Sequence, residues 1–369
     1  MLDEHKDPGG SLTHRRATPK VVRSPAQKGF TLPLDKNRVL TQRALSLEFR
    51  EFVDSDYRRL AEVYDAIFPE RSRTIEEWRF YDDSLDKSKY FFKRYTCLNS
   101  STGQALGFGE MWNPPWMFHP KKFWLDAWVD PSWQRHGVGG ALYDKLQADL
   151  KQHGATTLWM GIRENMHDPI AFALKRGFTE KMRGWESTIN PSQFNSSKFE
   201  EYPIKASKGG IQFSTLEKEL RDDPECYQKL YELVQTAFRD VPIPDTPTDT
   251  PYNEWLTFEM KNPNLIPEAY MIAKDREKYV GTSVVWRLQK EPQSLYQGLT
   301  GVLREYRGKG IAVALKLRVL DFARKNGFNH IRTYNASTNE GMLAINKKLG
   351  FQRDLAWITF EKIINQENS

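Results

Sequence analysis

Cysteine is almost missing from this chain: 369 residues hold two, Cys97 and Cys226, one in each half. That count and spacing exclude a disulfide framework and a cysteine-based metal site. No run of about 18 apolar residues occurs, so no membrane span and no membrane partner is expected. The opening residues Met1 to Lys6 lack an apolar signal core. A reducing, cytoplasmic setting is the expectation. His119, His136, His153, His167 and His330 show no ligand spacing, and no metal is expected. Two common phosphate motifs are missing too. No Gly-x-x-x-x-Gly-Lys-Ser/Thr is present, which argues against a nucleoside-triphosphate site. Gly137-x-Gly139 and Gly308-x-Gly310 lack the third glycine of the dinucleotide fingerprint, where Leu142 and Val313 stand.

What is present is an ordinary balance, 39% apolar and 28% charged, in a chain long enough for two domains. The net charge of +6 is uneven. Residues 1–44 hold nine Lys/Arg against four Asp/Glu, five of the six net charges. This segment is rich in Pro, Gly and Ser and has no sustained periodicity, so a disordered basic tail is expected. Phe30 is its only aromatic. A solvated leader fits better than a nucleic-acid arm, and nucleic acid is not an expected partner.

Past the tail, one order of elements occurs twice. Leu47–Phe52 alternates as a strand, and Asp54 or Ser55 then caps a helix with apolar Leu60, Val63, Tyr64, Ile67 and Phe68. Thr74 with Glu77 forms a capping box for a second helix. Strands are expected at 90–98, 105–112 and 123–129, then a Gly-containing loop, a helix at 141–152, a strand at 157–162, a helix at 169–176 and a strand from Phe178. Residues 191–210 read as a linker. The order then repeats, with strands at 211–216, 269–274, 280–288, 296–302, 329–334 and 356–364 and helices at 225–238, 254–260, 314–325 and 342–349. The expected domains are 45–190 and 211–369.

The loops are the firmest sign of duplication. Gln134-Arg135-His136-Gly137-Val138-Gly139-Gly140 and Arg307-Gly308-Lys309-Gly310-Ile311-Ala312 are 173 residues apart, counted from Gln134 to Arg307. Gly177-Phe178 and Gly350-Phe351 downstream are also 173 apart. Glycines let several backbone N–H groups approach one point, and the helix that follows adds its free amides and positive dipole end. A diphosphate suits such a place. A single short Gly loop describes a tight strand-to-helix turn equally well; the repetition argues for more.

The segments 129–142 and 302–315, with the ends 172–178 and 345–351, resemble motifs A and B of the GNAT (Gcn5-related N-acetyltransferase) superfamily, present as a tandem pair over roughly 45–365. The arrangement is similar to that of mycothiol synthase and other bacterial two-domain acetyltransferases. The resemblance implies an α/β (α+β) fold: two GNAT domains, each a mixed, mostly antiparallel sheet flanked by helices, either separate or sharing one continuous sheet. It implies acetyl-CoA as cofactor and direct attack of a small-molecule amine on the thioester. It implies a wedge between the fourth and fifth strands, with Val129 or Val302 at the pantetheine. Gln134 or Arg307 would frame the entry. Arg135, His136, Gly137, Val138, Gly139 and Gly140, or Gly308, Lys309, Gly310, Ile311 and Ala312, would lie at the pyrophosphate, and Asn335 and Asn339 would shape the loop after the strand, near the acceptor or the thioester.

Many family members carry a Tyr five residues before the last Phe of motif B, as acid toward the thiolate. Ala173 and Asn346 occupy those places here. Asn346 can hydrogen-bond but cannot act as a phenol does. For the base, Asp126 shares a strand face with Trp124 and Trp128, where burial would raise its pKa, and Glu110 lies on the preceding strand. The second copy has Leu299 in place of Asp126; Tyr296, Thr300 and Tyr334 are its polar candidates. Asp240, Asp245 and Asp249 read either as selectors of a cationic amine or as a solvated loop. The expected activity is N-acetyltransfer. Its alternative is an acyl-CoA sensor or scaffold with one or both copies degenerate. The Asn-rich segment after 333 tips the balance slightly to the C-terminal copy as the active one. No signature of an oligomeric state is present.

Overall fold

The computed structural model describes residues 45–364; the expected tail, 1–44, lies outside the described residues. The first half runs β1 Leu47–Glu51, α1 Tyr57–Ile67, α2 Ile75–Ser84, β2 Phe92–Asn99, β3 Ala105–Trp112, β4 Lys122–Val129, α3 Val138–Gln152, β5 Thr157–Arg163, α4 His167–Lys175 and β6 Thr179–Ile189. The connection carries α5 Glu201–Lys208. The second half runs β7 Ile211–Thr215, α6 Leu216–Asp222, α7 Cys226–Phe238, α8 Tyr252–Trp255, β8 Met271–Asp275, β9 Lys278–Arg287, β10 Ser294–Val302, α9 Ile311–Lys325, β11 His330–Ala336, α10 Glu340–Leu349 and β12 Gln352–Ile363.

All twelve strands form one sheet, in the order β1-β2-β3-β4-β5-β12-β6-β11-β10-β9-β8-β7. Among the described residues only β4/β5 and β10/β11 are parallel. The centre holds an exchange. β12, the last strand of the second half, pairs with β5 from Trp357↔Arg163 to Ile363↔Thr157 and with β6 on its other edge. β6, the last strand of the first half, pairs in turn with β11 from Ile331↔Ile189 to Ala336↔Gly184. Each half thus covers the open edge of the other's fifth strand, and the two are interleaved rather than side by side.

Local signals explain the elements that position the site. The Thr74 box forms as expected: Glu77 N donates to Thr74 Oγ1 at 3.1 Å and Thr74 N to Glu77 Oε2 at 2.7 Å. The cap expected at Asp54 or Ser55 does not form. Asp56 sits at that end with no side-chain cap bond, because its carboxylate accepts from Val53 N at 3.0 Å and pairs with Arg50 at 2.6 Å. The stretch read as a linker is partly helical, and Ala206 of α5 joins the second half's core. Helix α6 was not expected. Cys97 and Cys226 are both free and buried. Among the described residues no helix is long and apolar enough to cross a membrane.

The exchange gives a test. Halves split after Asn195 and produced separately should each aggregate, because β5 or β11 then has a bare edge. Produced together, they should co-elute as one complex with the helix and strand content of the intact chain by circular dichroism. Two soluble, folded monomeric halves would contradict the interleaved sheet.

Candidate functional site

Two wedges open in the sheet, one in each half. β4 and β5 pair only at Lys122↔Thr157, Phe123↔Leu158 and Trp124↔Trp159, then part. β10 and β11 pair from Ser294↔His330 to Gln297↔Thr333, then part likewise. Trp124 and Gln297, the last paired residues of β4 and β10, are 173 apart. The copies differ in how the strand is shaped. β3/β4 runs unbroken from Gly107↔Val129 to Trp112↔Trp124. β9/β10 is bulged: Gln297 faces Val285 and Thr300 faces Ser283, so Gly298 and Leu299 share one partner.

The N-terminal wedge holds a cavity of about 240 Å³. Asp126, Val129, Gln134, Arg135 and Gly139 line it with Tyr143 and Phe172. Gln134 Nε2 donates to Val129 O at 3.2 Å. Gly137, at φ +86°, turns the chain into α3. Arg135 takes φ +65°, where the second copy has Gly308 at +74°, so one loop backbone is kept at the cost of a left-handed arginine. No side chain caps α3, and its first loop-to-helix bond is Ala141 N to Gly137 O at 3.0 Å. The amides of Val138, Gly139 and Gly140 therefore lack in-helix acceptors. These free donors at a positive dipole end fit a diphosphate. Val138's side chain is core, and exposed His136 bonds Gln134 O at 2.8 Å; Arg176 lies beside Gly140. None of these three side chains lines the cavity.

The C-terminal wedge holds about 470 Å³ and is lined by Val302, Arg307, Gly308, Gly310, Ile311, Ala312 and Asn339. α9 also begins uncapped, from Gly310 at φ +82°. Its loop is already engaged, however. Arg307 donates to Val302 O at 2.9 Å and to Asp240 Oδ2 at 2.5 Å. Asp240 also binds Arg304, and these partners hold its carboxyl down to about 2. Tyr202 of α5 lies over Gly310: a Cβ there would meet its ring at 3.0 Å. Lys309 sits 4.7 Å above the Tyr306 ring. Asn339 accepts from Met342 N at 3.3 Å as the cap of α10.

The catalytic candidates divide sharply. Asp126 and Glu110 face each other across β4 and β3. Glu110 is buried, with Oε2 bonded to Arg94 Nε at 2.7 Å; Arg94 also holds Asp82 at 2.6 Å. Burial pushes the Glu110 carboxyl up against the pull of Arg94. Burial, then the Glu110 charge opposite, pushes Asp126 up to about 7, although the Trp112 and Trp124 indoles pull the other way. Tyr296 and Tyr334 do not line the C-terminal cavity. They lie near Arg71 and Glu186, and burial raises both phenols, Tyr334 to about 12. Asn346 is buried and donates to Asn335 Oδ1 at 2.7 Å, and its own Oδ1 has no partner. Asp245 pairs with Lys122 and Asp249 with Arg239, so with Asp240 all three loop acids are spent on internal cations.

Two residues escaped the sequence reading. Tyr143 of α3 brings a phenol into the N-terminal wedge, where its OH accepts from Lys362 Nζ at 3.1 Å. The residue 173 further on is Lys316, 2% exposed, with Nζ 3.2 Å from Gln297 Oε1. Burial lowers Lys316 to about 7. The helices at 141–152 and 314–325 were expected, but nothing in their spacing singled out Tyr143 or Lys316.

The chain matches the acetyltransferase (GNAT) family twice, over residues 57–178 and 227–351. It belongs to that family, as a tandem GNAT protein. Among solved structures, a GCN5-related N-acetyltransferase from Sphaerobacter thermophilus superposes with a TM-score of 0.64 at 19% identity, covering 88% of this chain and 97% of that one. A tandem GNAT protein from the clavulanic acid biosynthesis pathway gives 0.66 at 18% identity, covering 88% and 100%. These likenesses are of fold. A [ribosomal protein bS18]-alanine N-acetyltransferase of Escherichia coli K12 is 40% identical over 52 residues, 14% of this chain and 35% of that enzyme. N-alpha-acetyltransferase 30 of Schizosaccharomyces pombe is 28% identical over 89 residues, 24% of this chain and 59% of its own length. The matches thus span about a third to three fifths of those curated relatives.

Lys316 gives a measurable sign. Its folded-state pKa is about 7 against the ordinary 10.5, so the wild type loses stability as pH falls from 10.5 toward 7. Lys316→Met has no such loss. The melting-temperature difference should therefore move in the variant's favour as pH falls from 10 to 7 and level off below. A difference independent of pH would show that Lys316 is not held neutral.

Proposed function

We propose that this protein transfers an acetyl group from acetyl-CoA to a primary amine, and that the N-terminal wedge is where it does so. One observation carries the reading: Asp126 opens into the same cavity as Val129, Gln134, Arg135 and Gly139. The matched curated relatives are named for acetylation of amino groups, which agrees with an amine acceptor. The free amides of residues 138–140 would hold the diphosphate, and Arg135 adds a cation at the mouth. Beyond Trp124 the β4 backbone has no strand partner on its β5 side, which leaves groups free for an extended pantetheine arm.

When bound, the donor supplies an activated thioester carbonyl. Asp126 takes the ammonium proton, and the freed lone pair attacks that carbon. A carboxyl titrating near 7 is matched to this task at neutral pH. Tyr143, rather than a residue of α4, is the phenol placed to return a proton to the departing sulfur. Ala173, a fully buried residue of α4, stands where the usual acid would be; in this reading the phenol enters from α3 instead.

The C-terminal copy takes a bracing role in this proposal. It lacks a carboxylate on β10, and Asp240 and Tyr202 occupy its loop. This reverses the slight preference drawn from the Asn-rich segment: Asn339 caps α10 and Asn335 is tied to Asn346.

Asp126→Asn should lower kcat/KM by about 10²–10⁴-fold, measured by thiol release from acetyl-CoA with a panel of amines. The wild-type rate should rise with pH through an inflection near 7 that the variant lacks. Stability should move oppositely. A raised carboxyl costs folding free energy once ionised, so Asp126→Asn should gain melting temperature over wild type above pH 7 and not below about 4. An inflection that persists in the variant would remove Asp126 as the base.

The two wedges separate by a matched pair of changes. Gly139 and Ala312 are 173 apart and each lines its cavity. Gly139→Leu should abolish turnover, whereas Ala312→Leu should leave it within about threefold, because only the first wedge lies beside a suitable base. The reverse pattern would move the active site to the C-terminal half. Tight CoA binding with no thiol release from any amine would favour a sensor.

A further inference from the structure

A second cavity, of about 510 Å³, adjoins the N-terminal wedge. Its size falls in the range of small-molecule sites, about 300–1,000 Å³. The contact between the two is the Glu110–Asp126 pair: Glu110 lines this cavity and Asp126, directly opposite in register, lines the wedge. The walls come from both halves of the chain. Trp112 stands on one side; Phe238, Trp255 and Phe258 of the second half stand on the other. Exposed Tyr81 and Trp116 line the same cavity.

The charged groups in this cavity are nearly all satisfied, with two exceptions. Asp82 is bound by Arg94 and by the Tyr57 hydroxyl at 2.7 Å. Glu259 accepts from Trp255 Nε1 and the Tyr270 hydroxyl, both at 2.6 Å. Gln235 accepts from Thr250 N at 3.0 Å. Glu110 uses Oε2, and its Oε1 has no donor among the described residues. Arg73 is the other exception. Half-buried, it has no hydrogen bond or ion pair among the described residues, although 4.9 Å from the Trp78 ring centre, 5.4 Å from Tyr81 and 5.7 Å from Tyr64. Three rings hold the guanidinium in place without neutralising it. A fixed, unpaired guanidinium is suited to a carboxylate. It also lies near enough to both acids to pull their carboxyls down.

We infer that this inter-half cavity takes a free α-amino acid with a bulky apolar or aromatic side chain as the acetyl acceptor. Arg73 holds the α-carboxylate, the α-ammonium points to Glu110 Oε1 and Asp126, and the side chain lies against Phe238, Trp255 and Phe258. The inference rests on the transfer reading above and adds the class of acceptor. In the reaction one ammonium proton passes to Asp126 before attack, a C–N amide bond forms, the C–S bond breaks, Tyr143 protonates the departing sulfur to the thiol, and the second proton lost by nitrogen restores the Tyr143 phenol. The products are an N-acetyl amino acid and free CoA.

The test compares three forms of one side chain on the full chain: L-tryptophan, tryptamine and L-tryptophanamide, with the phenylalanine series alongside. The free amino acids should exceed both analogues by about 10–100-fold in kcat/KM, as loss of a charged hydrogen bond predicts. Arg73→Met should erase that gap by slowing the amino acids far more than tryptamine. Equal rates for the three forms, or an equal slowing of all three by Arg73→Met, would overturn the inference and leave the transfer reading standing. A fully active amide in particular would indicate a peptide N-terminus as acceptor. If no amine releases thiol, the transfer reading fails. Calorimetric binding of L-tryptophan then decides the site itself: binding to wild type that Arg73→Met abolishes supports an amino-acid site in this cavity, and no binding to wild type overturns it.

Discussion

The exchange of β6 and β12 is the constraint on which the rest depends. A wedge between parallel strands needs the strands to part, and here β4 releases β5 after three residue pairs. So short a parallel ladder would hold β5 poorly by itself. β12 supplies seven paired positions along the other edge of β5, from Trp357 to Ile363. The strand that closes the N-terminal wedge on its far side therefore belongs to the C-terminal half. The same holds in reverse, with β6 against β11. Splaying a sheet to admit a ligand and keeping that sheet whole are conflicting demands. The duplication resolves the conflict by having each copy complete the other.

A second dependence is electrostatic. Arg94 is 4% exposed and sits between Asp82 and Glu110, with rings of Phe52, Trp78 and Phe92 within 5.5 Å. One guanidinium thus answers two carboxylates, and Asp126 across the strand is a third acid with no cation bonded to it. Like charges so placed cannot all ionise at equal ease. Burial and the Glu110 charge leave Asp126 as the group that titrates near neutrality. The buried cluster thereby sets the proton affinity of the one carboxyl that opens into the wedge. Its members come from α2, β2, β3 and β4, so this tuning depends on the packing of the whole first half.

Much of this was legible from residue order. The Thr74–Glu77 box, the loops at Gly137 and Gly310 and the equal spacing to Phe178 and Phe351 are local signals with local causes, and each formed. The tandem family and the fold class followed from them. Asp126 between Trp124 and Trp128 was a sound reading of strand alternation. The strand exchange was hidden, because an alternating pattern specifies a strand and a face but not a neighbour. The cap at Asp54 or Ser55 was misplaced because Asp56 found stronger partners in Arg50 and Thr96, 2.8 Å away. The loop acids looked available because Arg304, Arg307 and Arg239 are distant or unremarkable in sequence. Arg73 was invisible for the opposite reason. Its meaning lies in the partner it lacks, and an absence of that kind exists only in three dimensions.

The two copies show how one backbone can be kept while its chemistry drifts. At one equivalent place Tyr143 lines a cavity and Lys316 is sealed in the core; at another a flat β4 carries Asp126 and a bulged β10 carries Leu299. Where the first loop forces Arg135 into a left-handed conformation, the second relaxes to Gly308 and lets Asp240 and Tyr202 close over it. Both helix starts are uncapped; Arg307 of the second copy is tied to Val302 O and Asp240, whereas Arg135 of the first pairs with exposed Asp168. The proposed assignment of transfer to the first copy draws on this residual strain and on the neighbouring carboxyl poised near 7. The second copy has retained what the sheet requires of it: β12 beside β5, and Phe238, Trp255 and Phe258 as the far wall of the cavity next to Asp126.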